Sequence, residues 1–183
     1  MPAPRTRLLA VLAVVAATAL AGCAPADATP PTPTPTLEPV FASDEEALAA
    51  AIAAYEAYAE MSQIIGEDGG DDPERIRPFV GEAFAATAIE EFEQLEANSL
   101  RLVGAVHVQG GTLAEWGQAG EVFVTAYLCT DVSATRVLNA SDVDVTPSDR
   151  ADHLTLVVEF TGTDDERQLI VESSDLWSGP STC

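Results

Sequence analysis

At Asn98 the apolar residues stop recurring every three or four positions and begin to alternate, and this change of period constrains the fold more than any other feature of the chain. Upstream, Ser43-Asp44-Glu45-Glu46 has the form of a capping box, with Ser43 as N-cap and Glu46 placed to bond back to it. A helix is therefore expected from there to about Gln63. Leu48, Ile52, Tyr55 and Ala59, with Ala51 and Tyr58 beside them, mark its buried stripe. Three glycines and four acidic residues between Gly66 and Asp72 end it, and Asp72-Pro73 reads as an N-cap followed by proline at the first helical position of a short turn carrying Ile76 and Phe79. A third helix is expected over about 82–97, burying Phe84, Ala88, Phe92 and Leu95 and wetting Glu90, Glu91, Glu93 and Glu96, with Asn98 as its stop.

Downstream, Leu100, Leu102, Gly104, Val106 and Val108 share one face of a strand, and Arg101, Val103, Ala105, His107 and Gln109 the other. Further strands are expected at 121–130, 135–139, 154–161 and 168–173, the last two joined by a hairpin loop over 162–166. Helices first and strands second predict an α+β fold, with N-terminal helices packed on one face of a curved antiparallel sheet of about four strands.

Residues 1–40 are a different material. Arg5 and Arg7 supply a basic n-region, Leu8 to Leu20 an apolar run of 13 residues, and Leu20-Ala21-Gly22-Cys23 closes it. Such a run is short of the roughly 20 residues that span a bilayer. The segment resembles the lipobox of bacterial lipoproteins. The resemblance implies a signal peptide over 1–22, a diacylglyceryl and palmitate-bearing Cys23 as the first mature residue, and a place on the extracytoplasmic face of the plasma membrane. From Ala24 to Pro39, alternating threonine and proline exclude helix and sheet ladders and predict a disordered, extended tether, about 3 Å per residue and roughly 50 Å in reach. Phe41 to Cys183 then suits one compact domain of 143 residues. With Cys23 lipidated, Cys129 and Cys183 are the two cysteines left in an oxidising compartment, and a disulfide between them is expected.

The chain holds eight basic and 30 acidic residues, and loss of Arg5 and Arg7 with the leader leaves a formal charge of −24. Binding phosphate backbones needs clustered positive charge, so nucleic acid and anionic lipid surfaces are not expected partners.

The order of a long helix, a short helix, a third helix and a run of strands resembles the nuclear-transport-factor-two-like (cystatin-like, SnoaL-like) fold. Tyr127-Leu128-Cys129-Thr130-Asp131-Val132-Ser133, with the tail Leu176-Trp177-Ser178-Gly179 and Cys183, resembles uncharacterised actinobacterial lipoproteins. The first resemblance implies a sheet-lined cavity in which Tyr55 or Tyr58 and His107 or Asp131 would do acid–base work, as in isomerases and dehydratases on this scaffold. Residues 64–80 depart from it, being too short and acidic for the strand pair that fold carries there.

Catalytic constellations are scarce. No zinc-type His and Cys spacing and no Gly-x-Ser-x-Gly elbow occurs, so no catalytic residue, metal or cofactor is assigned. Acidic runs at Glu67, Asp68, Asp71 and Asp72 and at Asp142, Asp144, Asp149 and Asp152 fit no calcium-loop grammar. Pro147 stands where an EF-hand needs glycine and His153 where it needs glutamate, so solvated loops are expected. Trp116 and Trp177 are expected to lid the core rather than line a ligand pocket. The expected function is a non-catalytic binding or accessory domain for an unidentified protein or small molecule of the cell envelope, the alternative being a small-molecule enzyme. Arg101, His107 and Tyr127, with Val103 and Phe123 beside them, are the candidate binding residues, placed together by strand alternation.

Overall fold

The computed structural model describes residues 39–163 and 167–180; the leader, Cys23, the tether and Cys183 lie outside the described residues. Helix α1 runs Asp44–Glu67, a 3₁₀ helix Pro73–Phe79 and helix α2 Glu82–Ala97. Strands follow: β1 Arg101–Val103, β2 His107–Ala119, β3 Glu121–Asp131, β4 Arg136–Leu138, β5 His153–Gly162 and β6 Leu169–Leu176. The fold is α+β, with the N-terminal helices preceding every strand. Among the described residues no helix is long and apolar enough to cross a membrane.

Ser43 starts α1 by accepting from the Glu46 amide at 3.3 Å, while the Glu46 carboxylate takes the amide of Ala42 at 2.7 Å, one residue outside the expected box. The helix runs past Gln63 to Glu67. It ends in a Schellman motif, with Gly70 N–H bonded to Ile65 O and Gly69, at φ 74°, to Gly66 O. Its buried stripe is Ala47, Ala51, Tyr55 and Ala59, and Leu48, Ile52 and Tyr58 flank it half-buried. Helix α2 occupies the expected span and buries Ala85, Ala88, Ile89 and Phe92, with Phe84 and Leu95 at the margin.

The main sheet has the order β2-β3-β5-β6, all antiparallel, and β1 pairs with β4 in a separate two-stranded sheet. That separation corrects the expectation of one strand over 100–109. Gly104, at φ 88°, turns the chain between β1 and β2 where a Cβ would lie 2.2 Å from Ala134 O, a conformation and a clearance that only glycine tolerates. Strand β2 then continues to Ala119, with irregular register at Val108/Gly110 and Leu113/Glu115.

Strand β3 fixes which face is covered. Val122, Val124, Ala126, Leu128 and Thr130 are at most 2% exposed, and with Leu156, Val158 and Phe160 of β5 and Leu169 and Val171 of β6 they form the core beneath the helices. Helix α1 lies against β2, β3 and β6, and α2 against β6 and the 3₁₀ helix. Burying the valine, leucine and phenylalanine side chains among them contributes about 1.5–3 kcal/mol each by area, which is why the sheet settles with this face under α1. Phe41 packs edge-on to Trp116 with ring centroids 5.4 Å apart, and the Trp116 indole donates to Asp44 Oδ1 at 2.8 Å, so this tryptophan lids the core.

Candidate binding face

Directly paired residues of antiparallel strands share a face, so the register of the sheet writes out the side opposite the helices row by row. One end carries His107, Asp131 and His153. Next come Gly110, Cys129 and Thr155, then Thr112, Tyr127, Val157 and Asp175, then Glu115, Thr125, Glu159 and Ser173. The far end carries Gly117, Phe123, Thr161 and Ile170.

Three aromatic rings stand on this face. Phe123 is 38% exposed. Tyr127 packs on Trp177 with ring centroids 4.7 Å apart, and Trp177 is held by its amide to Thr155 O at 2.9 Å and its indole to Pro180 O at 3.0 Å. Trp177 therefore belongs to the open face and not to the lid of the core. Around Phe123 lies an open trough of about 600 Å³ bordered by Glu115, Glu121, Glu159 and Glu172.

The acidic character is unbalanced there. All six arginines beyond the leader pair elsewhere: Arg75 with Asp68 and Asp72, Arg77 with Glu74 and Glu82, Arg101 with Asp142, Arg136 with Asp144, Arg150 with Asp152 and Arg167 with Glu46. The two acidic runs of the sequence are thus the ion-pair partners of Arg75, Arg101, Arg136 and Arg150. Asp131 titrates below the ordinary aspartate range because the Ser133 hydroxyl and amide bond its carboxylate, the amide at 2.8 Å, with His153 and His107 adding attraction.

Of the expected binding residues, His107 and Tyr127 do share this face, four positions apart along the β3 register, or roughly 13 Å. Arg101 does not. It sits on β1 in the second sheet, bonded to Asp142, because Gly104 breaks the alternation that would have aligned it with His107. Val103 leaves the face with it. Sequence reasoning missed Thr112, Glu115 and Glu159, which reach the face only through strand pairing, and it assigned Trp177 to the core lid.

The expected acid–base set is divided by the sheet. Tyr55, on the sheet-facing side of α1, is buried and hydrogen-bonded to Ser174, and desolvation pushes its phenol well above the usual range. Tyr58, beside it and against Phe84, is raised for the same reason. His107 and Asp131 stand on the opposite face. Two further grooves lie along α1: one of about 380 Å³, mostly apolar, lined by Ala50, Ala53, Ala57, Phe79 and Leu169, and one of about 280 Å³ between Glu56, Glu60, Gln63 and the start of β2. Among the described residues no three metal-ligating side chains converge.

No family model matches the sequence, and no curated protein matches it. Solved structures similar to it include the intermembrane space region of the chloroplast protein ARC6, 10% identical at a TM-score of 0.49, covering 79% of this chain and 100% of that one. A periplasmic fragment of TraM is 13% identical at a TM-score of 0.47, covering 74% of this chain and 98% of that one. Likeness at this level carries nothing about ligand or partner.

Proposed function

We propose that this chain is a lipid-anchored, extracytoplasmic, non-catalytic binding or accessory domain that meets its partner through the open face of the β2-β3-β5-β6 sheet. The observation that carries the reading is the face itself, which presents Phe123, Tyr127 and Trp177 among carboxylates and hydroxyls on the side away from the helices. An exposed aromatic cluster rimmed by polar groups is the usual composition of a recognition patch. The tyrosines of the alternative, enzymatic reading lie across the sheet from His107 and Asp131, so the two halves of that acid–base set do not meet.

The anchor rests on the basic n-region, the apolar run and Leu20-Ala21-Gly22-Cys23, with 24–39 as the tether. Two acyl chains hold stably where one binds marginally. The lipidated protein, recovered from its own envelope, is expected to bring down a partner identifiable by mass spectrometry, and Phe123→Ala or Tyr127→Ala to reduce that recovery. Equal recovery by both variants would reject the face. Cys23→Ser is expected to leave the precursor unmodified and out of the detergent phase; unchanged partitioning would reject the anchor.

A disulfide between Cys129 and Cys183 is part of the same reading. Cys129 is 9% exposed, already engaged, and paired in register with Thr155, the residue whose carbonyl takes the Trp177 amide. The segment after β6 therefore continues beside β5, one strand away from Cys129, which supports the pairing.

A further inference from the structure

Phe123 lies where two features of the open face meet. Its ring leans across the strand pair onto Gly117, its direct partner on β2. A Cβ at position 117 would lie 2.7 Å from the ring's Cε1 and 2.8 Å from its Cζ, so the ring holds this place because glycine leaves it. Tyr127 and Trp177 pack on each other, whereas Phe123 stacks on no other ring among the described residues and stays open to solvent. It forms part of the wall of the trough that Glu115, Glu121, Glu159 and Glu172 border.

The carboxylates are set out in a line across the strands. Glu115 on β2 and Glu159 on β5 share one row, joined through Thr125 of β3, and Glu172 on β6 adjoins Ser173, which ends that row. With neighbouring strands about 4.8 Å apart, these charges span roughly 10 Å from β2 to β5 and roughly 14 Å from β2 to β6. The Ser173 hydroxyl donates to Glu159 Oε2 at 3.1 Å and orients it. Among the described residues, the arginine ion pairs involve none of the four glutamates.

We propose that this end of the sheet receives an extended basic segment of the partner protein, laid across the strands with one arginine or lysine over Phe123 and the others on the carboxylates. The inference deepens the reading of the open face as the binding surface and rests on it. Arginine and lysine suit both features at once, because their apolar stems lie on a ring while their charged heads are drawn to the ring face and to carboxylates. A purely apolar group would leave the carboxylates unanswered. A small cation of single charge could meet only part of a line roughly 14 Å long, whereas alternate side chains of an extended segment stand about 6.6 Å apart and the first and fifth about 13 Å.

The probe is a synthetic peptide of about nine residues alternating arginine and serine, titrated into the isotopically labelled full chain in non-ionic detergent and followed by amide NMR shifts. The shifts are expected to centre on Glu115, Phe123, Thr125 and Glu159. The dissociation constant should rise at least about fivefold as salt goes from about 0.1 M to about 1 M and the screening length falls from about 10 Å to about 3 Å. Glu115→Gln with Glu159→Gln leaves an acceptor for Ser173 and should weaken binding about fivefold, and Phe123→Ala about two- to fivefold. Glu90→Gln with Glu93→Gln removes the same charge from the exposed side of α2 and should leave binding within about twofold of the parent. No binding, equal weakening by the two glutamate pairs, or displacement of the peptide by tetramethylammonium at equal charge would each overturn the proposal. If the peptide fails to bind while Phe123→Ala still lowers partner recovery from the envelope, the basic segment is rejected and the face stands; if recovery is also unchanged, both are rejected.

Discussion

Tyr127 and Leu128 are neighbours in sequence on opposite faces of β3, and replacing each with alanine separates the two faces of the sheet thermodynamically. Leu128 is fully buried, and its Cδ2 lies only 2.8 Å from where a Cβ on Gly111 would stand, so the pocket around it is close-packed and has little room to collapse. Leu128→Ala should cost about 3–4 kcal/mol, the transfer free energy of the lost methyls plus the cavity left behind. Tyr127→Ala loses a half-buried ring and its contact with Trp177, about 1–2 kcal/mol. His107→Ala, on an exposed side chain, should stay within about 0.5 kcal/mol. At about 3 °C per kcal/mol for a domain of this size, the melting temperatures should fall by about 10 °C, about 5 °C and under about 2 °C. Melts followed by far-UV circular dichroism read all three. Partner recovery, measured well below the lowest melt, should fall most for Tyr127→Ala and least for Leu128→Ala. A Leu128→Ala variant that melts with His107→Ala, or loses binding as Tyr127→Ala does, would refute the assignment of faces.

Gly70, at φ 91°, sits where a Cβ would lie 2.1 Å from Phe92 O, so Gly70→Ala should lose roughly 3 kcal/mol or more in chemical denaturation, from left-handed strain plus backbone overlap. A loss below about 1 kcal/mol would mean that α2 does not pack there. Asp131 should titrate below its unfolded value in a carboxyl NMR titration. Its contribution to stability is therefore full above the unfolded pKa and disappears as pH falls through the folded one, and an ordinary or raised value would remove the Ser133 bonds from the account. Thiol counting on the mature protein, unfolded without reductant, should give none. Cys183→Ser should then lose up to about 4 kcal/mol, the chain-entropy value for a loop of 55 residues, and two reactive thiols would reject the pairing.

How far the sequence could be read follows from which residues carry their own signal. Helix α2 and strands β3 and β5 fall within about two residues of expectation, because caps and alternation are local properties. Tyr55 and Ala59 lie in the expected stripe of α1, but its N-terminal half is buried along Ala47 and Ala51 and not along Leu48 and Ile52. Ala47 looks neutral in a sequence, and only a close sheet beneath it makes so small a residue part of the core. Gly66 reads as a helix breaker, yet it is helical and buried, placed where a Cβ would come within 2.9 Å of Leu102 Cβ. Strand β2 was hidden beyond Gln109 because Gly110, Gly111 and Gly117 and two register shifts erase the period-two pattern over most of its length.

The binding face was less legible than the fold for a reason of distance. His107, Asp131 and His153 are separated by more than 20 residues at each step, and only the pairing of β2 with β3 and β3 with β5 brings them into one row. Arg101 illustrates the converse, since a single left-handed glycine between it and His107 sends it to another sheet and into an ion pair with Asp142. That loss changes the chemistry of the face. Among the described residues the ion pairs of the six arginines beyond the leader do not involve Glu115, Glu121, Glu159 or Glu172, which leaves these carboxylates clustered around the trough. Packing does not require them, for they stand on the solvent side of strands whose other side already fills the core. An anionic partner would add to the repulsion, whereas apolar contact with Phe123 and Trp177 proceeds at their edge without desolvating them. The placement of charge on this sheet thus supports, by an argument separate from net charge, the expectation that nucleic acid and anionic lipid surfaces are not partners.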